Sequence, residues 1–302
     1  MKRVLTAAVL VPPVLFAVFR APLWLFSALV AAIAVLALSE YLNISKAYGI
    51  TPMPRCAYAL GLITIFAALA SADISLPARF PWLSLFSQSW MALPCLALVF
   101  GIPIVLRRDM RMAVAASATS LFGVIYVAAP LATLVLLRHD PYYQVFLVFA
   151  LFSVWAGDIA AYYTGRSLGR HKLAPVVSPN KTWEGAVASV LASISVSLLI
   201  FHFGSGIARL FSRPNLSFYT PLPGAPHLSL PHLLALGVIA NVAAQFGDLF
   251  ESAIKRGAQI KDSGSLLPGH GGILDRIDAL LFAVPAVWYY AFLTRYLEGL
   301  TN

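Results

Sequence analysis

Charge is what this chain has least of. Only 11% of its 302 residues are Asp, Glu, Lys or Arg, against roughly 25% in an ordinary soluble domain. With 60% hydrophobic residues and a mean hydropathy of +0.82, that scarcity excludes a soluble globular protein. Cysteine is nearly absent as well. Cys56 and Cys95 stand far apart in apolar surroundings, which excludes a disulfide framework and a thiolate metal site. No basic block with interleaved aromatics occurs, so the net charge of +9 does not point to nucleic acid. No internal repeat and no matched half-sequences occur either, which argues against an ion-coupled transporter built on its aspartates. The N-terminus, Met1-Lys2-Arg3 followed by Val4 to Phe19, has the outline of a signal peptide. It lacks a small-x-small cleavage pattern, and Arg20-Ala21-Pro22 follows instead. A retained first span is the better reading.

What is present is a series of apolar runs long enough to cross a bilayer. Nine can be counted: Val4–Phe19, Pro22–Leu38, Cys56–Ala72, Trp90–Leu106, Ala113–Leu137, Tyr142–Thr164, Gly185–Phe203, His232–Phe250 and Ala279–Leu297. The expected fold is all-α, a polytopic helical membrane protein with its N-terminus in the cytoplasm. Lysine and arginine decide that orientation. Fifteen fall in segments placed inside and six in segments placed outside, which accounts for all 21. The stretch Gly204–Pro231, with Pro214, Pro221, Pro223, Pro226 and Pro231, reads as an irregular outer loop. The first five spans are nearly bare of acids. Residues 1–139 therefore read as a supporting half and 140–302 as a working half of one membrane domain.

Seven of the twelve acidic residues gather in three clusters on the expected inner face: Asp158, Glu184, Asp248, Glu251, Asp262, Asp275 and Asp278. An acid within a span is costly and marks function by default. The first cluster runs from Gly157-Asp158 through Tyr162 and His171 to Ser178-Pro179-Asn180-Lys181-Thr182-Trp183-Glu184. Ser178-Pro179 has the form of an N-cap with proline at the first helical position. Glu184 pairs with a nearby lysine or serves a site. Tyr162 is a buried hydrogen-bond donor or a substrate contact.

The second cluster closes the eighth span, where Asp248, Glu251 and Ser252 share a helical face. The third runs from Lys255 to Asp278. Lys255 and Arg256 favour the C-terminal end of a helix dipole, or they hold phosphate. Pro268-Gly269-His270-Gly271-Gly272 offers free backbone N–H groups for an anion. Asp275 and Asp278 share a face at the start of the ninth span. Opposed carboxylate faces at one membrane level make a hard-oxygen cation site.

Taken together, Ser252, Lys255-Arg256, Lys261-Asp262, Pro268-x-His270-Gly271-Gly272 and Asp275-Arg276-x-Asp278 resemble the signature of the CDP-diacylglycerol synthases, or phosphatidate cytidylyltransferases. The upstream segments around Asp158, Ser178–Gly185 and Gly247–Ser252 resemble that family too. Ala279 stands where members often have serine, and Asn180 where many have lysine.

The resemblance implies transfer of a cytidylyl group from CTP to phosphatidic acid, with magnesium required. It implies metal-binding roles for Asp248, Asp275 and Asp278, and phosphate-holding or catalytic roles for Lys181, Lys255, Arg256, Lys261, His270 and Arg276. Ser178, Asn180, Ser252, Gly271 and Gly272 would bind substrate. It further implies a homodimer in the bacterial inner membrane, its site facing the cytoplasm. A CTP-dependent lipid alcohol kinase is the nearest alternative. A CDP-alcohol phosphotransferase is not, because that family's Asp-Gly-x-x-Ala-Arg pattern is absent.

Overall fold

A computed structural model describes residues 13–72, 111–139, 141–210, 228–266 and 271–301, with a few helical residues between 101 and 105. The helices are α1 (Leu23–Ala47), α2 (Pro54–Ala72), α3 (Ala113–Gly123), α4 (Ala129–His139), α5 (Pro141–Ser167), α6 (Trp183–Leu210), α7 (Leu230–Gly257), α8 (Leu274–Ile277) and α9 (Leu280–Thr301). A π-helical turn, Val124–Ala128, joins α3 to α4. The strands are β1 (Lys172–Ala174) and β2 (Ser178–Thr182), paired antiparallel.

Seven helical segments among the described residues are long and apolar enough to cross a membrane. They correspond to seven of the nine expected runs, and the protein is a polytopic helical membrane protein. The expected span Val4–Phe19 lies largely, and Trp90–Leu106 almost wholly, outside the described residues. Three spans run well past their expected ends, α7 among them, which continues beyond Phe250 to Gly257. The second span continues past Leu38 to Ala47, because Glu40, Asn43 and Lys46 extend a helix that polarity alone would end. Helix α6 runs on through Gly204 to Leu210, so the expected irregular loop begins later than composition suggests.

The chain forms two compact units, Met1–His139 with Ile254–Ile277, and Asp140–Ala253 with Asp278–Asn302. In the first, α1 packs on α2 and α4, and the small helix α8 packs on α1. Val30, Ala34, Leu38 and Leu42 of α1 are buried, as are Leu60 and Ile65 of α2 and Leu131 and Val135 of α4. Tyr41, Phe122 and Tyr126 make a ring cluster with centroids 5.9–6.1 Å apart. The π turn lies at this cluster, where one extra residue per turn redirects the side chains.

In the second unit α5 lies along α6, and α9 packs on α5. A polar ladder runs between α6 and α7. The Asn241 amide donates to Ser189 Oγ (2.8 Å) and Ser193 Oγ (2.7 Å), and the Gln245 amide donates to Asn241 Oδ1 (2.5 Å) and to the Ala186 carbonyl (3.1 Å). In an apolar interior such groups must satisfy one another, and this ladder ties the two helices together.

Between α5 and α6 the chain turns through the β1–β2 hairpin. Ser178-Pro179 therefore does not start a helix, contrary to the sequence expectation. Pro179 sits in a two-stranded ribbon, where a missing N–H is tolerated at an open edge. The cap is Thr182 instead. Its hydroxyl accepts from the N–H of Gly185 (3.2 Å), and Trp183 is the first helical residue.

Candidate active site

The hairpin presents Lys181 beside α7. Lys181 Nζ lies 2.6 Å from Asp248 Oδ2, with the two side chains 24% and 36% exposed. Among the described residues Asp248 Oδ1 accepts a long hydrogen bond, 3.4 Å, from Ser252 Oγ one turn on. This carboxylate thus holds one ammonium closely and stays partly open to solvent. Ser178 is half-buried and Asn180 exposed on the same strand. Glu251, expected on one face with Asp248, is 1% exposed, so the two carboxylates occupy different environments.

Glu184 pairs with a histidine where a lysine was expected. His171 Nδ1 lies 2.7 Å from Glu184 Oε1, and the His171 N–H also donates to that carboxylate at 3.2 Å. The Trp183 N–H donates to the His171 carbonyl (2.9 Å), which closes the base of the hairpin. Glu184 and His171 therefore hold the ribbon that carries Lys181. Tyr162 is 58% exposed, and its hydroxyl accepts from Arg166 (3.1 Å). The expectation of a buried donor fails there, because one helical turn places arginine over the ring's polar end.

The second group of residues belongs to the other unit. Lys255, in the last turn of α7, donates to Asp275 Oδ1 at 2.5 Å, and the side chains are 11% and 7% exposed. The Asp275 carboxylate also accepts from the N–H of Ser263 (3.0 Å to Oδ2) and of Gly272 (2.7 Å). Gly271 has φ +77, a conformation that side-chain-bearing residues rarely adopt. A Cβ at Gly272 would collide with Ser263 Oγ and with the carboxylate of Glu40. These two glycines are therefore set by backbone geometry and close approach.

Arg256 donates to the Ile260 carbonyl of its own turn (3.4 Å). Lys261, Asp262 and Arg276 are exposed. His270, Pro268 and Gly269 lie outside the described residues. Asp275 and Asp278 do not share one continuous helix face as expected. Helix α8 ends at Ile277, a turn occupies 278–279, and α9 begins at Leu280. Asp278 Oδ1 accepts from the Ala279 N–H (2.8 Å) within that turn.

Sequence reading missed Glu40. Its side chain is 3% exposed in α1. It accepts from Ser263 Oγ (2.9 Å) and from the N–H groups of Ile273 (3.0 Å) and Leu274 (2.8 Å). The signal was available, since an acid inside an apolar helix is costly and seldom idle. Ending the second span at Leu38 placed it outside the helix.

Among the described residues no three His, Cys, Asp or Glu side chains converge as a metal cage. Magnesium seldom needs one, because it binds through one or two carboxylates plus substrate phosphates. The donor sets differ in how well they suit it. Asp248 is 36% exposed, and its Oδ1 is held by no more than the long Ser252 hydrogen bond among the described residues. Asp275, with its Lys255 partner and its N–H donors, takes a cation only in exchange for a present partner.

The model of the cytidylyltransferase family matches residues 1–294. A Staphylococcus haemolyticus protein named phosphatidate cytidylyltransferase is 33% identical over 254 residues, 84% of each chain. Proteins of the same name from Haemophilus influenzae and Brucella suis are 39% and 40% identical over 155 and 169 residues. Those two matches span 51% and 56% of this chain, and about half of each relative, 48% and 55%.

Proposed function

The chain belongs to the cytidylyltransferase family, and from that premise we propose that it transfers the cytidylyl group of CTP to phosphatidic acid in phospholipid biosynthesis. A phosphate oxygen of the lipid forms a bond to the α-phosphorus of CTP. The bond from that phosphorus to the bridging oxygen breaks, and pyrophosphate leaves. CDP-diacylglycerol remains. The lipid phosphate is already a nucleophile, so no serine or cysteine intermediate is needed.

The obstacle is mutual repulsion of anions, which cations relieve. The observation that carries the reading is the pair of lysine–carboxylate contacts, Lys181 with Asp248 and Lys255 with Asp275. All four stand at positions where the sequence resembles the family signature. Each lysine is held in place by a carboxylate until a phosphate oxygen competes for it. Exposed Arg256, Lys261 and Arg276 add phosphate-holding charge, Arg with a planar fork and Lys as a point charge.

Magnesium, which we take as the cofactor, would neutralise charge on the triphosphate and on the departing pyrophosphate. Asp248 would hold it first. Asp275 and Asp278, the other carboxylates the resemblance implies, would take a cation only by giving up part of their present hydrogen bonding.

Purified protein given CTP, phosphatidate and magnesium should release pyrophosphate and CDP-diacylglycerol in equal amount. CDP with a phosphorylated lipid alcohol would instead assign a CTP-dependent kinase and overturn the reading.

We place the chain in a bacterial inner membrane, with both lysine pairs on the cytoplasmic face where CTP is available. The distribution of lysine and arginine supports that orientation, and the homodimer implied by the resemblance belongs to the same reading. Val176, in the hairpin turn, is 88% exposed and Leu266 is 53% exposed. With Cys56 and Cys95 changed to alanine, Val176→Cys and Leu266→Cys should react with an impermeant thiol reagent only after the cytoplasmic side is opened. Labelling of either in sealed cells would refute the orientation.

A further inference from the structure

We propose that Glu40 is a positioning residue, holding the stretches 263–266 and 271–275 so that Asp275 and Lys255 keep their working arrangement. Two carboxylates grip these stretches at interleaved points. The Ser263 N–H donates to Asp275 while its hydroxyl donates to Glu40. The N–H of Gly272 donates to Asp275, and the next two, of Ile273 and Leu274, donate to Glu40. One carboxylate cannot shift without disturbing donors adjacent to those of the other.

Both stretches are shaped to admit the Glu40 side chain. A Cβ at Gly264 would stand 2.6 Å from Glu40 Oε1, and one at Gly272 would meet the same carboxylate. Glu40 itself is fixed, since Leu38 and Leu42 on either side of it are 1% and 2% exposed. A side chain on a packed helix positions a site more closely than loop contacts do. Close by, Tyr48 just beyond α1 donates its hydroxyl to the Ile254 carbonyl at 2.6 Å, one residue before Lys255. Glu40 on α1 and Tyr48 just beyond it thus hold both the Ser263 and 272–274 backbone and the turn before Lys255, and Glu40 acts on the pair through Ser263 and residues 272–274.

Packing alone would be served by an uncharged residue. Positioning needs both oxygens, because donors approach each. Glu40→Gln keeps the shape but turns an NH2 group toward at least one donor. Glu40→Asp keeps the charge on a shorter arm.

The test measures three quantities on Glu40→Gln, Glu40→Asp and the wild-type protein, each purified in detergent. They are kcat and KM for phosphatidate, the acylation rate of Lys255 read by mass spectrometry, and thermal unfolding. The kinetic arm rests on the proposed cytidylyl transfer, and the acylation arm does not. In Glu40→Gln, kcat should fall by about tenfold to a hundredfold, the effect of losing hydrogen bonds to a charged group. KM should stay within about twofold, as for an interaction that does not bind substrate.

Lys255 should be acylated about tenfold faster once its partner is misplaced, and Glu40→Asp should lie nearer wild type on both readouts. Unchanged kcat with Lys255 equally protected would overturn the proposal. So would a Glu40→Asp variant no better than Glu40→Gln. If Glu40→Gln shows no cooperative unfolding, Ser263→Ala decides. It removes one donor to Glu40 and should raise Lys255 acylation by about threefold, whereas no change overturns the proposal. If the wild-type protein makes no liponucleotide, the assigned reaction fails while the Lys255 comparison still judges Glu40.

Discussion

Asp275→Asn should abolish cytidylyl transfer and also destabilise the protein. Losing a major electrostatic contribution to catalysis typically costs about a hundredfold or more in kcat. The stability cost follows from burial. With side-chain exposures of 11% for Lys255 and 7% for Asp275, neither partner has ready access to water. Breaking a buried pair by removing one charge costs about 3–5 kcal/mol. Asparagine would also turn an NH2 group toward Lys255 or toward the N–H of Ser263 or Gly272, the groups that now donate to Asp275.

The check is thermal unfolding of the detergent-solubilised variant beside a liponucleotide assay. Adding Lys255→Met should recover part of the lost stability and none of the activity, since the ammonium that Asp275 held is then gone. Normal unfolding together with normal turnover in Asp275→Asn would refute both roles.

Asp248→Asn should lose comparable activity at almost no cost in stability. Its partner Lys181 is 24% exposed and Asp248 itself 36% exposed. Ion pairs open to solvent contribute about 0–1 kcal/mol. The variant should therefore unfold within a few tenths of a kcal/mol of wild type, as surface substitutions do. Turnover should fall by roughly a hundredfold, and added magnesium should not restore it, because the carboxylate charge is missing. Activity that returns at high magnesium would assign Asp248 to affinity alone. Near-normal activity at every magnesium level would remove it as a ligand. The contrast between the two variants is the informative result: similar kinetic losses, with opposite demands on the fold.

Much of this protein was legible without coordinates, for a physical reason. A bilayer demands long apolar helices, so runs such as Ala113–Leu137 and His232–Phe250 declare themselves by composition. In so apolar a background, Lys181, Asp248, Lys255 and Asp275 stand out because nothing but function or pairing offsets their burial. Periodicity could not show which lysine meets which carboxylate, since partners lie 20 residues apart for Lys255 and Asp275 and farther for Lys181 and Asp248. It could not show that Ser178–Thr182 is a strand, because a serine–proline pair also suits a helix start and only pairing with Lys172–Ala174 decides between them.

Glu40 was hidden most completely. Its donors are 223 to 234 residues away along the chain. A single acid near the end of an apolar run looks like the end of the span until the packed helix carries on to Ala47 around it. Composition and hydropathy determined that the chain crosses a membrane and where its polar chemistry lies, because the solvent acts on every residue locally. Only the tertiary structure decided the partners, because a buried carboxylate takes whatever donors the fold brings to it.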